Sequence, residues 1–110
     1  MDESGKNPIE DIAFQMVTAV NDARLNYLKA VHAARNQEFA AAQQYIEAGD
    51  DHYSTGHGAH TRLLQMEAAG SIDRVNLLLM HAEDQLISAE GYKMLAVESI
   101  HIYRAIQHKG

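Results

Sequence analysis

From Ile9 to Val31, apolar side chains recur three and four residues apart, at Ile9, Ile12, Ala13, Met16, Val17, Val20, Ala23, Tyr27, Leu28 and Val31. That period lays them along one stripe of an α-helix and does not suit a strand. A second segment, about Glu38 to Ala69, aligns Phe39, Ala42, Ile46, Tyr53, His57, His60 and Leu64 on one face. A third, about Val75 to Gln107, carries Leu78, His81, Gln85, Ser88, Ala89, Tyr92, Leu95, Ala96, Ser99, Ile102, Tyr103 and Ile106 on its inward stripe. Alternation of apolar and polar residues is sustained nowhere, and alanine, leucine, glutamine, glutamate and methionine dominate, so the chain reads as all-α.

Local signals mark where the helices begin and end. The only proline, Pro8, suits a first helical position, with Asn7 before it as N-cap and Glu10 three residues after the cap. A polar break falls at Arg35-Asn36-Gln37, and Gly70 offers a residue that takes positive φ ahead of a turn at Ser71 to Arg74. Gly49, Gly56 and Gly58 each weaken the second helix by roughly 1 kcal/mol against alanine, and a bend or local irregularity is expected there. Helices of around 30 residues span roughly 45 Å. Short connections then predict an antiparallel up-down-up three-helix bundle. Residues 1–7 read as a disordered tail, 8–107 as one helical domain and 108–110 as a fraying end, with no repeat and no low-complexity tract. Leu77-Leu78-Leu79-Met80 is apolar on every side of its helix, more than a three-helix bundle buries, which points to self-association.

The composition excludes several classes of function. Without cysteine there is no disulfide, thiolate metal site or cysteine nucleophile. Nine Lys+Arg against 15 Asp+Glu leave a net charge of −6, which argues against nucleic acid or an anionic membrane as the main partner. No apolar window is long enough to span a bilayer, and the first residues lack the apolar core of a signal peptide, so a soluble cytoplasmic protein is expected. The P-loop, G-x-G-x-x-G and H-E-x-x-H patterns are absent, so a phosphoryl group handled here arrives on another molecule.

The informative stretch is Leu77 to Leu86, which sets His81 at the edge of an apolar run. A neutral imidazole has one ring nitrogen free to attack, and Asp84 or Gln85 could hold the proton on the other. His57 and His60, at i and i+3, have a spacing compatible with a shared metal, but no third ligand of obvious spacing completes a site; a polar pair facing the bundle is the plainer reading.

Three blocks carry a resemblance. Asn21-Asp22-Ala23-Arg24 looks like a G-D-A-R segment, and His57-Gly58-Ala59-His60-Thr61 like H-x-x-Q-T, followed by the turn region Glu67 to Gly70. Met80-His81-Ala82-Glu83-Asp84-Gln85-Leu86 looks like V/M-H-A/G-Q-D-H-L-M. In that order and spacing they make the chain resemble the lactose/cellobiose-type enzyme IIA of the phosphoenolpyruvate-dependent sugar phosphotransferase system, over about Ile9 to Ala105. The resemblance implies a three-helix protomer assembled as a homotrimer, with His81 as the phosphorylated residue. It also implies that Asp84 meets its symmetry mates at the trimer axis, where Mg²⁺ or a similar divalent cation offsets the repulsion of three carboxylates. The implied donor is the carrier HPr and the implied acceptor a cysteine of enzyme IIB, during uptake of a disaccharide of lactose, cellobiose or chitobiose type that never touches this chain. His57, His60 and Gln85 are candidates to hydrogen bond the phosphoryl oxygens. The sequence departs from the pattern at Gln85, where a second histidine is usual, at Glu83 and His60, where glutamine is usual, and at Asn21, where glycine is usual.

Two other readings compete. A two-component histidine phosphotransfer domain would carry a lysine three residues after the histidine, where this chain has Asp84, an acid that repels a phosphoryl group. A non-catalytic helical adaptor or metal-binding module would use His81 only for packing.

Overall fold

The computed structural model describes residues 8–70 and 77–109, and consists there of three helices: α1 (Pro8–Arg35), α2 (Phe39–Ala68) and α3 (Leu77–Lys109). Helix α1 begins at Pro8, as the sequence predicts, while the proposed cap Asn7, the Ser71–Arg74 turn and the start of the third segment at Val75 lie outside the described residues. Helix α3 stays helical through His108 and Lys109, past the expected end at Gln107, because nothing in that stretch breaks a helix.

The α1–α2 connection is a tight C-terminal cap. Gln37 takes a left-handed φ of 62°, its N–H donates to the Ala34 carbonyl at 2.9 Å, and the Glu38 N–H donates to the Ala33 carbonyl at 2.9 Å. This pair of bonds satisfies carbonyls that the helix end would otherwise leave open, and it turns the chain back on itself. Gly70 closes α2 with φ 80°, as expected of a residue that must enter the left-handed region.

Cross-helix contacts give the directions. Arg62 reaches Gln15 and Tyr27 reaches Asp50 between α1 and α2, so these two run antiparallel. Arg24 reaches Gln85 and Ser88, and the buried Ala23 and Tyr27 share a core cluster with Ala96 and Ile100, so α1 and α3 run parallel. The expected up-down-up bundle follows.

Alanine dominates the core. Ala13, Ala19, Ala23, Ala30, Ala33 and Ala34 of α1 are buried, with Ala42 and Ala59 of α2 and Ala82, Ala89 and Ala96 of α3. Small side chains let the helices approach closely, and the local irregularity expected at the α2 glycines does not occur. The helix is continuous from Phe39 to Ala68. Gly49 and Gly56 are buried contact points: a Cβ on Gly49 would lie 2.5 Å from Cε1 of Tyr27, and one on Gly56 would lie 2.9 Å from Cγ2 of Val20. Packing outweighs the propensity penalty at both positions.

Polar ties cross the bundle at mid-height. The Tyr27 hydroxyl donates to Oδ1 of Asp50 at 2.7 Å, and Nζ of Lys93 meets the same oxygen at 2.9 Å, which links all three helices. Burial and the Asp50 carboxylate push the Tyr27 hydroxyl well above the ordinary tyrosine range. Tyr53 donates to Glu90 of α3, and burial followed by that bond raises it to about 12.

Candidate functional site

Helix α3 has three distinct faces. The core face carries Leu79, Ala82, Leu86, Ala89, Ala96 and Ile100. The opposite face carries Met80, Ile87, Met94, Leu95 and Ile102, all exposed, with Met94 at 73% and Leu95 at 70%. The flank turned toward α1 carries His81, Gln85, Ser88 and Tyr92. The inward stripe expected for α3 is met at Ala89 and Ala96, which are buried, but is otherwise shifted around the helix: His81, Leu95, Ile102 and Ile106 are exposed, and the residues beside several of them point inward. In α2 the same holds for His57 and Leu64, which are exposed while Gly56, Ala59 and Leu63 are buried. A second apolar stripe on α3 and small inward residues on α2 account for both shifts.

His81 lies in the second turn of the described α3, exposed, and among the described residues no hydrogen bond or ion pair holds its ring. Gln85 follows one helical turn later on the same flank. There the Arg24 guanidinium of α1 donates through Nη1 to the Gln85 carboxamide oxygen and, at 3.4 Å, to the Ser88 hydroxyl. Its Nη2 donates to Oδ1 of Asn21 at 2.9 Å, and the guanidinium stands 5.6 Å over the Tyr92 ring centre. Beside it a groove of 320 Å³ is lined by Asn21, Arg24, Leu25, Leu28 and Tyr92. Sequence reasoning did not single out Arg24 as a site residue. The signal that could have found it was a cation next to the buried stripe position Ala23, inside one of the three resembling blocks.

The other sequence-derived candidates lie elsewhere. Asp84 is exposed, one turn after Met80 and three residues before Ile87, within the outer apolar stripe. His60 is half-buried with Nε2 3.5 Å from Oε1 of Glu83. Glu83 and Gln85 are two residues apart, about 200° around the helix, so His60 packs against the flank of α3 away from Arg24. His57 is exposed and stacks on Tyr53 with ring centres 6.3 Å apart. Of the three side chains expected near a phosphoryl group, the fold puts Gln85 on the flank of His81, while His57 and His60 belong to the α2 side. Among the described residues no group of three or more histidines or carboxylates is gathered as a metal site, and a single chain brings one Asp84.

Residues 11–104 match the family described as the lactose/cellobiose-specific IIA subunit of the phosphotransferase system. A lactose-specific EIIA component of Streptococcus mutans is 33% identical over 93 residues, which cover 84% of this chain and 89% of that protein. A lichenan-specific phosphotransferase enzyme IIA component of Bacillus subtilis is 31% identical over 98 residues, 89% of each chain. The crystal structure of a cellobiose-specific enzyme IIA from Bacillus anthracis aligns with a TM-score of 0.90 at 29% identity, over 99% of this chain and 100% of that one.

Proposed function

This chain belongs to the lactose/cellobiose-specific IIA family, a phosphotransferase component of sugar uptake, and we propose that it is a phosphocarrier with His81 as the residue that takes and gives the phosphoryl group. The observation that supports this most directly is an exposed imidazole whose ring no described neighbour holds, one turn from a carboxamide anchored by an arginine. A nucleophile that must meet two successive protein partners needs that accessibility, and phosphoryl transfer depends chiefly on positioning and charge neutralisation.

In the first step the lone pair of an unprotonated His81 ring nitrogen forms a bond to phosphorus in line with the leaving group. The phosphorus–nitrogen bond of the donor, phospho-HPr, breaks, and its electron pair returns to the donor's imidazole. The proton on the other His81 nitrogen stays in place. In the second step the thiolate of the enzyme IIB cysteine forms a sulfur–phosphorus bond, and the pair of the breaking nitrogen–phosphorus bond stays on His81. Gln85 is the supporting residue on this flank.

The outer stripe of α3 supports a homotrimeric assembly, since Ile87, Met94 and Leu95 would be covered by the same helix of neighbouring chains. Asp84 would then stand near the axis. Its carboxylate is a hard oxygen donor that suits Mg²⁺ or a similar cation, whose charge would offset the repulsion among three copies. No helix among the described residues is long and apolar enough to cross a membrane, and the reading is of a cytoplasmic carrier that meets its transporter through enzyme IIB. The transported sugar is taken to be a disaccharide of the lactose, cellobiose or chitobiose type.

Intact mass after incubation with phosphoenolpyruvate, enzyme I and HPr tests the central step. One acid-labile phosphoryl group per wild-type chain is expected, and none on His81→Gln. A folded wild type that gains no mass would end the phosphocarrier reading.

A further inference from the structure

Arg24 is a half-buried cation without a carboxylate partner among the described residues. Lys93, also half-buried, is ion-paired with Asp50, and Lys29, Arg35, Arg62 and Arg104 are exposed. A partly desolvated guanidinium held only by neutral acceptors is costly, so it needs some other use for its charge. Its partners say what that use is. A guanidinium has no acceptor, so Nη1 must meet the oxygen of the Gln85 carboxamide, which turns the amide –NH₂ away from Arg24. Without that contact the carboxamide could lie either way round. Ser88, Asn21 and the Tyr92 ring fix the guanidinium from three further directions.

Resting on the phosphocarrier reading, we propose that Arg24 is a positioning residue: it orients the Gln85 carboxamide so that its –NH₂ donates to the phosphoryl group carried on His81. The i, i+4 relation brings the Gln85 and His81 side chains together on one flank, at about 6 Å between their Cβ atoms. Arg24 acts through Gln85 and adds a fixed positive charge behind it. The charge strengthens the amide donor and favours the dianionic phosphoryl group, which nothing else described on this flank neutralises. No bond is made or broken by Arg24.

A double-mutant cycle with Arg24→Met, Gln85→Leu and the pair separates this role from a structural one. The readouts are the rate of transfer from phospho-HPr, with kcat and KM determined separately, and the ³¹P titration of the phosphohistidine. Each single variant should lower kcat about 10-fold or more with little change in KM, consistent with a misplaced supporting group. The pair should lose clearly less than the two single losses combined, the remainder over Gln85→Leu alone being the share of the Arg24 charge that does not pass through Gln85. The apparent pKa of the phosphoryl group should rise in both single variants, because the dianion loses a donor or a charge. Arg24→Lys should recover part of the rate. Circular dichroism and melting confirm that each variant is folded, and Arg24→Lys serves as a second probe if the methionine variant is not. Additive losses in kcat, an unchanged ³¹P titration, or wild-type transfer by a folded Arg24→Met would each overturn the inference while leaving His81 as the carrier. Failure of the wild type to accept phosphate would instead remove the reading on which it rests.

Discussion

Replacing Gly49 with alanine opposes two effects whose sizes can be worked out. On propensity alone the change should stabilise α2 by about 1 kcal/mol. The added Cβ, however, would lie 2.5 Å from Cε1 and 2.7 Å from Cδ1 of Tyr27, where ordinary carbon contacts are about 3.5–4.0 Å. The overlap is therefore roughly 1 Å against a ring that is only 1% exposed. The ring cannot swing clear, because its hydroxyl is tied to Asp50 and Asp50 to Lys93. Relief must come from parting α1 and α2, and overpacking of this kind costs about 1–3 kcal/mol. Taking the upper end, the net loss is about 2 kcal/mol, or about 8 °C in Tm for a chain of this size. Gly58 is the control, since nothing lies within 4 Å of a Cβ there and it is exposed. Gly58→Ala should gain about 1 kcal/mol by the same propensity argument. Thermal and urea unfolding at one fixed protein concentration, to hold any assembly constant, would read both. A Gly49→Ala variant that melts at or above wild type would refute the close-packing account of α2.

Stability should fall at alkaline pH in a specific window. The folded Tyr53 hydroxyl is raised to about 12, so the unfolded chain loses that proton first, and stability is full below pH 10 and declines as pH rises from 10 toward 12. Tyr53→Phe should lessen that decline in melts taken across the window, Tyr27 keeping its own share, and an unchanged slope would count against the Tyr53–Glu90 bond. Ile87 is 66% exposed, so Ile87→Asp should leave the helices folded while reducing the sedimenting mass to that of one chain. A wild type that already sediments as a monomer, or a variant that assembles normally, would show that the outer stripe of α3 is no interface.

The parts of the fold that local chemistry decides were legible. Pro8 at a helix start, Gly70 in the left-handed region and the polar break after Arg35 each depend on one or two residues and their own backbone. Phase was harder. Leu95 and Ala96 are neighbours 100° apart on α3, and the larger residue looks like the better core candidate, yet Leu95 is 70% exposed and Ala96 is fully buried. A helix with two opposed apolar faces has no single stripe for a periodicity argument to find. Gly49 and Gly56 misled for a related reason: propensity belongs to one helix, whereas close approach belongs to two. Of the candidate site residues, His81, Gln85 and Asp84 stand together in sequence and could be considered together from it alone. Arg24 could not be tied to Gln85, 61 residues away, until α1 and α3 were known to run parallel.

The alanine core and the exposed stripe of α3 are two consequences of one distribution. Ala23, Ala30, Ala82, Ala89 and Ala96 are fully buried and keep the bundle thin. A thin bundle has little interior for large side chains, so Ile87, Met94, Leu95 and Ile102 remain outside. Burying each such side chain would contribute about 1.5–3 kcal/mol, which is the gain that the proposed assembly through this stripe would draw on. The arrangement also bears on the proposed site. His81 stands on the flank between that stripe and α1, so assembly through the stripe would leave it on the wall of a cleft while Asp84, inside the stripe, would be enclosed. The exposed flank is where Arg24 already holds Gln85 in a fixed orientation. On the proposed phosphocarrier reading, a site that two partners reach in turn needs an open edge, and α3 would supply it by keeping core, contact and chemistry on three faces of one helix.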